Sequence, residues 1–188
     1  MKKILSLVLS LVIATAAFSL PVFAADFSDV KADKYYYDSV MWAVKNGITS
    51  GATETTFNPT GSLLRAQVVT MLWRAAGEPA ATIANPFTDV FESDWYYNAV
   101  LWAAENGIVA GTSKNYFSPN LALTKKQAVT ILYKYDLLRA ENGLGTARNY
   151  SDALTWAADQ GITKGFSNVA MKTATLCTRA QAVLFLYR

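Results

Sequence analysis

The stretch Trp42-Ala43-Val44-Lys45-Asn46-Gly47-Ile48 recurs sixty positions later as Trp102-Ala103-Ala104-Glu105-Asn106-Gly107-Ile108. The similarity extends towards the N-terminus at the same offset, where Phe27-Ser28-Asp29-Val30 returns as Phe87-Thr88-Asp89-Val90. Recurrence at a constant spacing is the signature of a repeat architecture. The fold is therefore predicted from the repeating unit, and not from the chain as a whole.

A third, eroded copy follows 54 positions after the second, with Trp156 at the place of Trp102 and Gly161-Ile162 at that of Gly107-Ile108. The Phe-x-Pro pair of the first two copies has no counterpart in residues 169–172. Its Tyr150-Ser151-Asp152 opening lies nearer to the tryptophan than Phe-x-Asp does in the other copies. We expect the third copy to have a shorter first segment and an altered loop.

Each copy has the pattern of a helix, a loop and a second helix. In the first copy, apolar residues at positions 37, 40, 41 and 44 form one face of a helix. The second helix is expected to begin near Ser62, Thr124 and Thr178 in the three copies, each a plausible N-cap. One helical pair of this size cannot bury its apolar face alone. We therefore predict an all-α fold in which three helix-loop-helix repeats pack as a pseudo-threefold bundle.

The predicted boundaries are a secretory signal at residues 1–24 and repeats at 27–79, 87–139 and 148–188, with linkers at 77–86 and roughly 136–149. The signal has two lysines, an apolar run and the small-residue ending Val22-Phe23-Ala24. Without residues 1–24 the chain has 15 basic and 14 acidic residues, a net charge of +1, and it has no Lys/Arg cluster for nucleic-acid binding. No membrane span is expected after cleavage.

Single amino-acid counts narrow the chemistry further. Cys177 is the one cysteine and histidine is absent, so an internal disulfide, a thiolate zinc site and histidine-based catalysis are not expected. The acidic residues follow the repeat and form no singular pair of carboxylates of the kind that glycoside hydrolysis needs. The sequence predicts a protein that is not an enzyme and that has no metal site and no cofactor.

Several motifs in one order resemble the S-layer homology repeat. They are Phe-x-Asp-Val, a Trp-Ala pair before Asn-Gly-Ile, Phe-x-Pro, and a helix start that is intact as Thr178-Arg179-Ala180-Gln181. The resemblance covers residues 27–188. It implies a secreted module of the bacterial cell wall or cell surface whose inter-repeat grooves bind a secondary cell-wall polymer, pyruvylated in many cases, or a peptidoglycan-associated glycan. Protein partners are also compatible with it.

The helix-start motif supplies the candidate site. Repeat one has Arg65 and repeat two has Lys125 where repeat three has Arg179. Each would add a full charge at a helix N-terminus, which already favours anions. Arginine's planar fork suits a carboxylate better than lysine, so the groove that depends on Lys125 is the weakest candidate. The alternative is that all three are ordinary exposed residues of a first helical turn.

Other repeated residues are candidates with an equally good structural interpretation. Trp42, Trp102 and Trp156 either stack on sugar rings or belong to the core. Glycines allow positive φ or close approach of a ligand, or simply make turns. Asp29, Asp89 and Asp152 accept sugar hydroxyls or cap the next helix, and capping is favoured for the first two. The remaining expected glycan-binding residues are Gln67, Gln127, Gln181, Gly51, Gly111 and Gly165.

The second functional interpretation is structural. A self-associating surface-layer or adhesion protein would use exposed aromatic residues of these repeats to bind protein partners. Assembly that depends on protein concentration in the absence of glycan would distinguish it from a glycan-binding anchor.

Overall fold

A computed structural model describes residues 27–145 and 150–188, and their regular secondary structure is helical throughout. The predicted all-α fold is confirmed. The predicted signal at residues 1–24, and the first two residues of the predicted third repeat, lie outside the described residues. The helices are α1 Tyr37–Lys45, α2 Arg65–Ala75, α3 Tyr97–Glu105, α4 Lys125–Glu141, α5 Ala153–Asp159, α6 Asn168–Lys172 and α7 Arg179–Tyr187.

The helices pair across repeats. The second helix of each copy packs on the first helix of the next: α2 on α3, α4 on α5, and α7 back on α1. This cyclic exchange gives each apolar face a partner that belongs to a different copy. We refer to the three copies as unit 1 (α1 and α2), unit 2 (α3 and α4) and unit 3 (α5 to α7). The pairing follows the pseudo-threefold arrangement predicted from the repeats.

A ring of backbone hydrogen bonds joins the three units just before their second helices. The Leu63 N–H donates to the Cys177 carbonyl at 2.8 Å, the Cys177 N–H to the Leu123 carbonyl at 2.8 Å, and the Leu123 N–H to the Leu63 carbonyl at 2.9 Å. All three residues are at most 1% exposed. Because each residue donates to one neighbour and accepts from the other, the ring closes without leaving a buried polar group of its own unpaired. We call this set the hub.

Paired phenylalanines belong to the hydrophobic core in units 1 and 2. Phe27 packs on Phe57 with ring centroids 5.8 Å apart, and Phe87 packs on Phe117 at 5.5 Å. All four rings are buried. In unit 3 buried Met171 lies at the aligned position, on the short helix α6. The Phe-x-Asp-Val and Phe-x-Pro motifs thus recur because they supply the two halves of one aromatic pair.

Unit 3 departs from the other two as the sequence indicated. Helix α5 has seven residues, against nine in α1 and α3, and α6 stands where units 1 and 2 have an open loop. The predicted linker at 136–149 is wrong in its first part, because α4 runs on to Glu141. Strong helix formers continue the helix as far as the Asn142-Gly143 ending.

Helix starts are partly as predicted. The hydroxyls of Thr124 and Thr178 accept hydrogen bonds from the N–H groups of Gln127 and Gln181, so both are N-caps. Ser62 is not, because α2 begins at Arg65, two residues later than a cap at Ser62 would place it, with Leu64 at the N-cap position. Leu64 has no side-chain acceptor, and α2 therefore lacks the hydroxyl cap of its two counterparts. No helix of the described part of the chain is long and apolar enough to span a membrane.

The hub yields a prediction about its own cysteine. Cys177 is fully buried, and burial raises the pKa of its thiol to about 12. The thiol is therefore protonated at pH 8, and only the thiolate is nucleophilic. In a titration with a thiol-reactive chromogenic disulfide at pH 8, we expect no reaction of the folded protein over minutes and one equivalent of reaction in denaturant. Fast reaction of the folded protein would mean that the hub opens readily.

Candidate functional site

Arg65 is held at the junction between units 1 and 2. It is the first residue of α2, yet its side chain contacts unit 2: Nε donates to the Phe117 carbonyl at 2.9 Å and Nη2 donates to the Ala110 carbonyl at 2.7 Å. The guanidinium carbon lies 4.6 Å from the centre of the Phe117 ring, a cation–π distance. The arginine of one unit thus fastens the loop of the next.

Arg179 occupies the equivalent place between units 3 and 1. Its Nε donates to the Phe57 carbonyl at 2.9 Å, and its guanidinium carbon lies 4.8 Å from the centre of the Phe57 ring. The residue is 5% exposed, so it is not an ordinary exposed first-turn residue. Its buried Nη2 has no hydrogen-bond partner among the described residues, unlike that of Arg65. Arg65 and Arg179 therefore differ at Nη2, which has an acceptor in Arg65 and none among the described residues in Arg179.

Lys125 lies at the third junction, between units 2 and 3, with different partners. Its Nζ donates to the Thr175 hydroxyl and to the Leu176 carbonyl, both at 3.1 Å. Within residues 27–145 and 150–188, the Lys125 ammonium makes no cation–π contact with an aromatic ring. Since unit 3 has no Phe-x-Pro loop, an arginine here would lack the ring and the carbonyl that receive Arg65 and Arg179.

Burial and one nearby carboxylate act on the pKa of the arginine at each of the two arginine junctions. Burial lowers the pKa of Arg65 and of Arg179, and the nearby carboxylates of Asp89 and Asp29, respectively, act in the opposite direction. An arginine remains protonated at neutral pH even so. Each junction therefore combines a partly desolvated cation with a carboxylate from the following unit.

Asp29 and Asp89 do not cap helices, which corrects the prediction that favoured capping. The two oxygens of Asp29 accept hydrogen bonds from the N–H groups of Phe57 and Asn58, both at 2.8 Å. Asp89 accepts equivalent bonds from residues 117 and 118. Each carboxylate thus pins the Phe-x-Pro loop, whose middle residue has positive φ (58° at Asn58). Asp152 does cap a helix, α5.

The three glutamines act at the helix starts. The side-chain oxygens of Gln67, Gln127 and Gln181 accept hydrogen bonds from the N-cap N–H groups at 3.1, 2.9 and 3.0 Å. That is one half of a capping box. Their amide nitrogens, and not their oxygens, are what remains to offer a ligand.

The candidate glycines differ from one another. Gly51 and Gly165 have positive φ, at 94° and 89°. Gly111 does not, but a Cβ there would lie 2.5 Å from the Ser113 carbonyl oxygen. The repeated glycine is thus required by its own loop in units 1 and 2. Gly51 is required by its positive φ, and Gly111 by the close approach of the backbone.

The tryptophans are not near the arginines. Trp102 and Trp156 are buried, at 4% and 5% exposure, and Trp42 is half-buried. All three line one pocket of about 1090 Å³ at the C-terminal ends of the second helices, whereas the basic residues lie at the N-terminal ends. The structure therefore divides the predicted site residues between two ends of the bundle.

Sequence reasoning overlooked two exposed aromatic residues, each of which packs against a tyrosine of its own unit. Trp95 is 61% exposed and packs edge-on against Tyr96, and Tyr35 is 63% exposed and packs in the same way against Tyr36. Burial, followed by the carboxylates of Asp94 and Asp89, raises the pKa of Tyr96 to about 12. The Asp89 carboxylate thus raises the pKa of Tyr96 and also acts on the pKa of Arg65. The signal was available, since residues 35 and 95 are sixty positions apart and both aromatic.

Comparison with known proteins relates the first two units to one family. Residues 26–69 and 86–129, in units 1 and 2, match the model of the S-layer homology domain. No such match covers unit 3. Among the described residues there is no group of three or more acidic or cysteine side chains that could hold a metal ion.

Several curated proteins are similar over much of the chain. An endoglucanase of Bacillus sp. (strain KSM-635) is 33% identical over 132 residues, 69% of this chain and 14% of the enzyme. The surface-layer 125 kDa protein of Lysinibacillus sphaericus is 33% identical over 135 residues, 71% of this chain and 11% of that protein. An S-layer protein of Bacillus thuringiensis subsp. finitimus is 28% identical over 178 residues, 88% of this chain and 22% of that protein. The chain thus spans less than a quarter of each.

The loop carboxylates give a prediction about stability. Asp89→Ala leaves the N–H groups of Phe117 and Ser118 without their acceptor, and we expect a loss of about 1–3 kcal/mol in the free energy of unfolding. Asp33→Ala is the matched control, because Asp33 is exposed and pairs only with exposed Lys34. It should change stability by less than about 0.5 kcal/mol. Urea unfolding followed by circular dichroism measures both, and equal effects would show that Asp89 does not hold the loop.

Proposed function

We propose that this chain anchors to the bacterial cell wall or cell surface by binding a secondary cell-wall polymer in the grooves between its units, without catalysing a reaction. The two matches to the S-layer homology domain support this, because the similar proteins include S-layer proteins as well as an endoglucanase, and the matched part is a small fraction of each. Unit 3, with its intact Thr178-Arg179-Ala180-Gln181 start, is proposed as a third repeat of the same family.

The observation that carries the groove assignment is the unused Nη2 donor of Arg179. A buried donor without an acceptor costs free energy, which an acceptor oxygen from a ligand recovers. The donor belongs to a cation at the start of α7, where the helix dipole also favours negative charge. The first N–H groups of that helix already donate to Gly61, Pro59 and Thr178, so the guanidinium supplies the donor for a ligand. An acidic sugar or a ketal carboxylate is the ligand that suits this arrangement best.

The three grooves are unequal in this proposal. Arg179 is the principal acid-binding residue, because the second donor of Arg65 is already used by the Ala110 carbonyl. Lys125 is a point charge engaged by Thr175 and Leu176, and it contributes least. Exposed Tyr35 and Trp95 provide aromatic surfaces for sugar rings beside Asp29 and Asp89. The glutamines and glycines complete the grooves by shaping the backbone.

Co-sedimentation of residues 25–188 with purified cell walls tests the function itself. We expect the protein to pellet with intact walls and to remain in the supernatant once the non-peptidoglycan polymer has been chemically stripped. Binding that survives stripping would move the ligand to peptidoglycan. An absence of binding to either wall, with assembly that depends on concentration in sedimentation velocity, would favour the alternative of a self-associating surface-layer or adhesion protein.

Lysine substitutions test the groove assignment while preserving charge. Arg179→Lys keeps the cation but removes the fork, and we expect wall affinity to fall roughly tenfold. Arg65→Lys should have a smaller effect, because its second donor serves the protein's own backbone. Lys126→Ala, at an exposed neighbouring position, is the control for loss of charge. Binding isotherms are compared once circular dichroism shows native helix content, and unchanged affinity in both arginine variants would refute the grooves as the site.

A further inference from the structure

The pocket that contains the three repeated tryptophans has no part in the groove mechanism. It is lined by residues of all three units and has a volume of about 1090 Å³, which is large enough for two or three sugar rings. Arg65, Lys125 and Arg179 are not among its lining residues. Helix α2 is 11 residues long, about 16 Å, and separates the two places. The pocket is therefore a separate candidate site, which we call the tryptophan pocket.

The floor of the tryptophan pocket is aromatic and aliphatic. Trp102 and Trp156 are buried, and Trp156 is oriented by a hydrogen bond from Nε1 to the Asp136 carboxylate at 3.0 Å. Trp42 and Tyr135 are only half-buried, so part of each ring is accessible from the pocket. Such a floor suits the C–H faces of a sugar ring.

The rim is rich in hydrogen-bond acceptors. Helix ends expose carbonyl oxygens and the negative end of the helix dipole. Three rim asparagines also donate their amide nitrogens to their own helices, so each has its carbonyl oxygen left to offer; they are Asn46, Asn106 and Asn142. The C-cap residues that line the pocket are Asn46, Ala76, Asn106, Asn142, Gln160 and Arg188.

Charged side chains of both signs also line the rim. Arg188 donates to the carbonyls of Ile162 and Lys164, Arg139 donates to that of Leu144, and Arg74 lies 4.0 Å from the Glu78 carboxylate. The carboxylates of Glu105 and Asp136 accept bonds within the protein and have further lone pairs. The rim therefore offers both donors and acceptors, and sugar hydroxyl groups can pair with either.

We infer that the tryptophan pocket is a second binding site, which takes a neutral saccharide whose hydroxyl groups donate to the rim and whose ring faces pack on Trp42 and Tyr135. The inference rests on the proposed function for the view that the ligand is a wall glycan. It differs from that function in place and in chemistry, since the grooves take an acidic group and the pocket takes hydroxyl groups above an aromatic floor. A glycan with both features could bind at both ends of the bundle.

Isothermal titration calorimetry of residues 25–188 with two neutral trisaccharides, chitotriose and maltotriose, tests this. We expect at least one of them to bind with a dissociation constant of about 1 mM or tighter. Ala75→Trp puts a large side chain into the pocket from an exposed position and removes no packed contact, so it should weaken that binding at least tenfold. Ala32→Trp, at an exposed position outside the lining, is the matched control and should bind like the unaltered protein.

Two results would overturn the inference: no heat of binding from either sugar at about 10 mM, or full binding by Ala75→Trp. Failure of the proposed function is a separate observation. Arg179→Lys should weaken wall binding and leave trisaccharide binding unchanged, because Arg179 is not in the pocket. Trisaccharide binding by a protein that does not sediment with walls would refute the anchoring function and retain the pocket.

Discussion

The hub is the constraint on which the rest of the structure depends. Three backbone N–H groups and three carbonyls, from Leu63, Leu123 and Cys177, satisfy one another in a closed ring at the start of the second helices. Because backbone atoms make the bonds, the ring accommodates leucine at two positions and cysteine at the third. The units can therefore diverge in sequence while they keep the same geometry. The ring also fixes where each second helix begins. It thereby fixes the position of the basic residue, which is the first residue of that helix.

From the hub outward, the contacts that join the units also form the proposed binding grooves. An arginine from one unit reaches over the phenylalanine of the next and donates to its carbonyl, while an aspartate of that next unit pins the loop. The arginines that we propose as ligand-binding residues therefore also hold the fold. Charge-preserving substitutions are for this reason more informative at Arg65 and Arg179 than truncation to alanine.

The repeat made the fold predictable from the sequence, because the constant spacing of Trp-Ala, Asn-Gly-Ile and Phe-x-Pro specifies a helical unit that needs neighbours. The partners were not predictable. Nothing in the order of residues indicates that α7 returns to α1, or that Asp29 turns to a loop 28 residues away instead of to the next helix. The tryptophans were ambiguous for the same reason: spacing places them beside the buried face, but only packing shows that they meet at the opposite end from the arginines. Ser62 and the linker at residue 136 were misplaced because local propensity cannot locate a boundary that tertiary packing moves.

The return of α7 to α1 has a consequence for the order in which the chain can fold. Local pairs form early and long-range pairs late, and here the first helix must wait for the last before its apolar face is covered. Buried Val40 and Ala43 lie on that face. During synthesis α1 therefore lacks its packing partner until α7 has emerged, and the three units complete their native contacts only when α7 packs on α1.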